Sequence, residues 1–176
     1  MAVITEEYRI REFEYLKRLL EAGDIAAEIL HSDGVLDESC LIISMPTTSD
    51  DLDGLVPSDL HMAKAYLSQS DDEDEDTATK YLSFIMPIQV DLKDVDEYKM
   101  LKYLNECNEC IPFGTCYYSE NPLSGCMLVQ VKWAIGGVMD EPLNANVFCD
   151  TVCELGFLYD SLKEELLEKL PSLTRS

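Results

Sequence analysis

Short apolar strands set between amphipathic helices predict an α+β domain, an antiparallel sheet with helices packed on it, in the order α-β-β-β-α-β-β-α. Three observations carry this. Period-two runs at residues 81–90 and 126–135 read as half-buried strands. Three stretches with apolar residues at three- and four-residue steps read as helices. Turn chemistry at residues 120–125 (ENPLSG) joins two strands into an antiparallel hairpin. The order is not βαβαβ, which argues against a doubly wound nucleotide fold. A length of 176 residues with 47% hydrophobic content fits a single domain, residues 1–176, with a core of its own.

The first helix spans residues 6–22. Ile10, Phe13, Leu16 and Leu20 form its stripe, Thr5 is its N-cap, Glu6 and Glu7 suit its first turn, and Gly23 is its natural C-cap. Residues 25–31 read as a strand, because Gly23-Asp24 interrupts the helix and Ser32-Asp33-Gly34 is a turn cluster. Residues 40–45 (CLIISM) are rich in β-branched side chains and stop at Pro46, so they read as a second strand.

Residues 46–80 read as a flexible acidic insertion between strands, with a short helix over 58–67 capped by Ser58. In residues 81–90, Leu82, Phe84, Met86, Ile88 and Val90 share one face. Pro87 breaks a ladder position and points to an edge or a bulge. Residues 94–110 form the second helix, capped by Asp94, with Leu101, Leu104 and Cys107 or Asn108 as its stripe. Residues 115–119 and 126–135 are the hairpin strands, and Gly136-Gly137 ends the second. The last helix starts at Asp140 or Leu143 and runs to Leu170, where Pro171 closes it.

Charge narrows the function classes. Thirteen Lys+Arg against 35 Asp+Glu leave −22. Phosphate backbones need a basic footprint, so nucleic acid is excluded as a partner. Anionic membrane surfaces are disfavoured for the same reason. Residues 46–80 hold ten acids and two lysines, a net of −8, so −14 belongs to the rest of the chain. Residues 1–10 carry Glu6, Glu7 and Arg9 and contain no signal-peptide core, and no apolar run reaches a membrane span. Seven cysteines cannot all pair within one chain. Reduced thiols in a cytoplasm are therefore expected.

One stretch carries a resemblance. Leu104-Asn105-Glu106-Cys107-Asn108, then Ile111-Pro112-Phe113-Gly114 and a tyrosine-containing hairpin, resembles the YbjN family and the wider fold of type III secretion chaperones. Leu104, Asn105, Asn108, Pro112 and Phe113 fall on that pattern. The match covers roughly residues 94–170, and the first half agrees only in the order of its elements. The acidic insertion departs from the compact family pattern. The resemblance implies a small acidic homodimer that holds an extended segment of a client protein against its surface. It does not name the client.

Cys107-x-x-Cys110 and Cys149-x-x-x-Cys153 are the candidate metal ligands, since four thiolates bind zinc tetrahedrally if two helices bring them together. The same spacings suit packing cysteines, which is the favoured reading, so no metal and no cofactor are expected. A redox role for Cys107 and Cys110 is disfavoured because the pair closes a helix, where the dipole raises a thiol pKa. His31 and His61 lie in no catalytic motif, and no nucleotide-binding glycine pattern occurs. Residues 71–76 (DDEDED) lack the spacing of a calcium loop. Trp133 shares a strand face with Met127, Val129 and Val131; core packing is its default, and partial cover would make it a partner anchor. Asn105 and Asn108 orient the turn into Pro112. The expectation is a non-enzymatic, homodimeric, chaperone-like protein-binding module. The alternative is a zinc- or redox-linked regulator using Cys107, Cys110, Cys149 and Cys153.

Overall fold

The computed structural model describes residues 4–33, 36–45, 62–70, 78–88, 90–120 and 127–174. Its elements are α1 (Glu6–Ala22), β1 (Ala27–Leu30), β2 (Cys40–Ser44), β3 (Met62–Gln69), β4 (Thr79–Ile88), α2 (Glu97–Cys110), β5 (Thr115–Glu120), β6 (Met127–Val138) and α3 (Ala145–Leu173). The six strands form one sheet in the order β1-β2-β3-β4-β6-β5, with every neighbouring pair antiparallel. The α+β architecture stands, with helices on the sheet.

One face of the sheet is the core. Leu41, Ala65, Phe84 and Trp133 lie in one row across β2, β3, β4 and β6, and Leu67, Leu82 and Ile135 in another. These positions are buried apart from the half-buried Trp133. Phe13, Leu16 and Leu20 of α1, Met100 and Leu104 of α2, and Phe148, Val152, Leu155 and Tyr159 of α3 complete the same cluster. Phe84 and Phe148 stack across the layers at 6.2 Å.

The largest correction is an extra strand, which makes the order α-β-β-β-β-α-β-β-α. Residues 62–67, expected as the end of a short helix, belong to β3, which is paired on both sides in the middle of the sheet. Its inward residues are Ala63, Ala65 and Leu67. Alanine gives a faint period-two signal and a high helix propensity, so pairing with β2 and β4 overrides the local preference. The expected insertion is thereby divided: residues 62–70 and 78–80 are described parts of the sheet or its flanks, whereas 46–61 and the acidic run at 71–77 lie outside the described residues. Pro87 lies beyond Lys64↔Ile85, the last described pair of β4 with β3, and faces Gln130 of β6 on the other side.

β6 does not stop at Gly136-Gly137 but continues to Val138. Only Gly137 is required by close approach. A Cβ on Gly136 would sit 3.6 Å from the Tyr81 ring, and one on Gly137 would sit 2.9 Å from Leu143 Cδ2.

Helix ends follow local chemistry, with shifts in α2 and α3. Thr5 caps α1 as expected, accepting from Tyr8 N at 3.2 Å. At the other end Gly23 is the C-cap, as expected, and the left-handed residue is Asp24 (φ 59°) just beyond it. Ile25 N donates to Leu20 O and Asp24 N to Glu21 O, the paired closure of a Schellman turn. For α2 the cap is Asp96, not Asp94, which has φ 63°. The inner stripe of α2 is Met100, Tyr103, Leu104 and Cys107, while Leu101 is exposed. α3 is capped by Asn144 and passes through Pro171 to Leu173. Lys99 Nζ donates to Ser172 O and Thr174 O, satisfying the carbonyl end of α3 from the start of α2.

Candidate functional site

Three places in the fold hold polar or exposed groups in unusual settings. The first is a buried ion pair. Lys80 of β4 is completely buried, and its Nζ donates to Glu12 Oε1 (3.1 Å), to Tyr8 Oη (2.9 Å) and to the carbonyl of Glu141. Glu12 Oε1 also accepts from Leu143 N at 2.9 Å, and Tyr8 Oη donates to the carbonyl of Met139. Burying a charge is costly unless it is paired and hydrogen-bonded, and here the pairing joins α1, β4 and the β6–α3 connection. Gly137 lies beside it and makes room for Leu143, whose Cδ2 would meet a Cβ there at 2.9 Å.

The second is a cleft of about 340 Å³ between the end of α2 and the middle of α3. Tyr103, Cys107, Ile111, Leu158 and Leu162 make its apolar floor, with Glu106, Glu165 and Lys169 around it. Tyr103 is 7% exposed, and its Oη makes no well-formed hydrogen bond. Burial is the main reason the Tyr103 hydroxyl is pushed far above its ordinary value, with its contact to the Cys107 thiol, a weak acceptor lying outside good hydrogen-bond geometry, adding to it. It remains a protonated donor at any physiological pH.

The third is the sheet face away from the helices. Glu28, Ile42, Lys64, Ile85, Lys132 and Thr115 form one continuous row across all six strands. Tyr66, Ser83 and Ala134 form a second, and Pro87, Gln130 and Tyr117 a third. Met62 (44% exposed) and Tyr81 (39%) extend the apolar surface. Glu28 is the only acid in these rows.

The candidate cysteines do not converge. Cys107 is buried on α2 and Cys110 exposed at its end; on α3, Cys149 is half-buried and Cys153 exposed. Among the described residues, no group of three or more His, Cys, Asp or Glu is placed to hold a metal ion. Burial raises the Cys107 and Cys149 thiols and pushes Cys116 up to about 12, against the low pKa that a reactive thiol or thiolate ligand needs. His31 is exposed, and His61 lies outside the described residues.

Trp133 lies on the helix side of β6, half-buried, with its ring stacked on Phe113 at 4.1 Å and 17°. One of its faces is thus taken within the chain. Asn108 holds the α2–β5 turn as expected: its Nδ2 donates to Cys116 O (2.9 Å) and its Oδ1 accepts from Cys116 N (2.7 Å). Asn105 is exposed.

Tyr103 and the Lys80–Glu12 pair escape a reading of the sequence. A tyrosine in an amphipathic stripe and a lysine opening a strand are ordinary, and only the packed fold shows which polar atom finds a partner. No helix among the described residues is long and apolar enough to cross a membrane. No protein-family model matches the chain, and no curated protein matches it significantly.

Proposed function

We propose that the chain is a non-enzymatic protein-interaction module, homodimeric through the sheet face opposite its described helices, that holds a segment of a partner protein in the manner of a chaperone. The observation that carries this is the sheet face that no described helix covers, where Ile42, Tyr66, Ile85 and Tyr117 are half-buried and Lys64 and Lys132 exposed. In a chain of net charge −22, six strands present rows of Ile, Tyr, Met and Ala with two lysines and one edge acid. Depletion of charge with aromatic enrichment is the composition of interface cores. Elsewhere two copies repel each other, and this face is where they meet with least repulsion.

The area is adequate. Six strands about 4.8 Å apart, each rising about 3.3 Å per residue, offer roughly 600 Å² per copy, or about 1,200 Å² for a pair. That reaches the lower range of stable interfaces. The motif resemblance to YbjN-like proteins and secretion chaperones supports the same reading. The six described cysteines are free thiols, which supports a reducing, cytoplasmic setting.

Light scattering coupled to size exclusion at micromolar concentration tests the dimer. Ile85→Glu places a carboxylate between Lys64 and Lys132, its cross-strand neighbours, so the sheet tolerates it while the interface gains a buried charge. The expected result is a dimeric parent and a folded, monomeric variant. A monomeric parent overturns the proposal.

A further inference from the structure

We infer that the α2–α3 cleft is the client site, and that it binds an apolar peptide segment flanked by basic residues, with the Tyr103 hydroxyl donating to a main-chain carbonyl of that peptide. This rests on the reading of the chain as a protein-interaction module and adds where and what it binds.

Three features of the cleft point the same way. Tyr103 Oη is a buried donor that makes no well-formed hydrogen bond, the neighbouring Cys107 thiol being a weak acceptor, so a carbonyl oxygen would serve it better. The floor of Cys107, Ile111, Leu158 and Leu162 offers such an acceptor an apolar body to accompany it. A volume of about 340 Å³ accommodates one or two side chains rather than a folded surface.

The charge around the cleft selects the flanks. Glu106, with Lys102 3.9 Å away, and Glu165 face it, and Glu109 on α2 and Glu164 and Glu168 on α3 stand exposed on the same helices, five acids against Lys102 and Lys169. These acids extend along both helices past the cleft itself, so a ligand that meets them is longer than a small molecule. A carboxylate ligand is repelled, and a segment with lysine or arginine on either side of an apolar residue is drawn in.

The test uses the full chain and a fluorescein-labelled peptide of alternating leucine and lysine. A lysine–serine peptide of equal charge controls for bulk attraction to an acidic protein. Cys110 is exposed on the cleft lining and Cys153 is exposed outside it, so alkylation rates at the two thiols, read by mass spectrometry, locate the peptide. The leucine–lysine peptide is expected to slow alkylation of Cys110 and leave Cys153 unchanged, and the serine peptide to protect neither.

Tyr103→Phe is expected to weaken binding about fivefold, the value of one hydrogen bond. It is also expected to raise the melting temperature of the free protein, because a poorly satisfied hydroxyl has been removed. A tyrosine with a merely structural role would lose stability and leave affinity unmoved. Ser161→Trp, which fills the cleft from an exposed position, is expected to abolish protection of Cys110. Wild-type affinity in Tyr103→Phe, or peptide binding without protection of Cys110, overturns the assignment. If the parent is still dimeric, the interaction module stands and the site is wrong. A monomeric parent that also fails to protect Cys110 removes both.

Discussion

Two hollows of similar size lie on the helix side of this protein, and they treat buried polar groups in opposite ways. The one beside α1, about 450 Å³, has Tyr8 and Glu12 in its lining, and both are bonded to Lys80 and to main-chain groups. The one between α2 and α3, about 340 Å³, holds Tyr103, whose hydroxyl makes no well-formed hydrogen bond and lies against the weakly accepting Cys107 thiol. A satisfied buried network fixes the relative position of the elements it joins. An unsatisfied one costs stability and leaves bonding capacity for something else. The first hollow therefore reads as architecture and the second as a place for a ligand.

The contrast is broken most severely at Lys80. Lys80→Met leaves Glu12 buried without its counter-charge and is expected to cost about 3–5 kcal/mol in urea denaturation. Adding Glu12→Gln to that variant should recover much of the loss, because the uncompensated charge is then gone. A single variant within about 1 kcal/mol of the parent would mean that water reaches the pair and that the network is not structural.

Gly137→Ala tests the same region more gently. The new Cβ would meet Leu143 Cδ2 at 2.9 Å, and Leu143 is itself buried and hydrogen-bonded to Glu12. A loss of about 1–3 kcal/mol is expected from the forced repacking. No change in the urea midpoint would show that Leu143 yields freely.

At the second hollow the sign reverses. Tyr103→Phe should stabilise the free chain by about 1 kcal/mol, since it removes a buried donor that makes no well-formed bond. Destabilisation in the same measurement would mean that the hydroxyl has a partner in solution, and the contrast between the two hollows would fail.

Asp24→Gly is expected to add a few tenths to about 1 kcal/mol, because Asp24 holds the left-handed position that closes α1. Thermal melts of parent and variant decide it. The smallest effect concerns pH. Glu6 is held below its ordinary carboxyl value by the Ser39 hydroxyl first and by Arg9 next. A depressed carboxyl contributes stability above its unfolded pKa and loses it as the pH falls through the folded value. Glu6→Gln should therefore be less stable than the parent at neutral pH, with the gap closing as the pH drops below 4.5, the ordinary value for this group. A gap that persists at low pH would assign the difference to something other than ionisation.

Much of the fold is readable from the chain. β4 announces itself through Leu82, Phe84, Met86 and Ile88, and α1 through Thr5 and its stripe, because both rest on periodicity and caps within a few residues. β3 does not, because Ala63 and Ala65 say little about burial until β2 and β4 flank them. Nor does the end of β6, where two glycines look like a stop and the second instead admits Leu143. Within the candidate site, Cys107 and Cys110 draw attention by their spacing, yet the group that distinguishes the cleft is Tyr103, which no motif marks.

The sequence by itself determined an acidic α+β chain, its helices, its strongest strands and the turn held by Asn108. These depend on local periodicity, capping and charge, which neighbouring residues settle among themselves. Only the tertiary structure decided the central place of β3, the sheet face that the described helices leave uncovered, the burial of Lys80 against Glu12 and the poorly satisfied hydroxyl of Tyr103. Each of those depends on residues far apart in the chain meeting or failing to meet, and whether a polar atom finds its partner is settled only when the packed layers close around it.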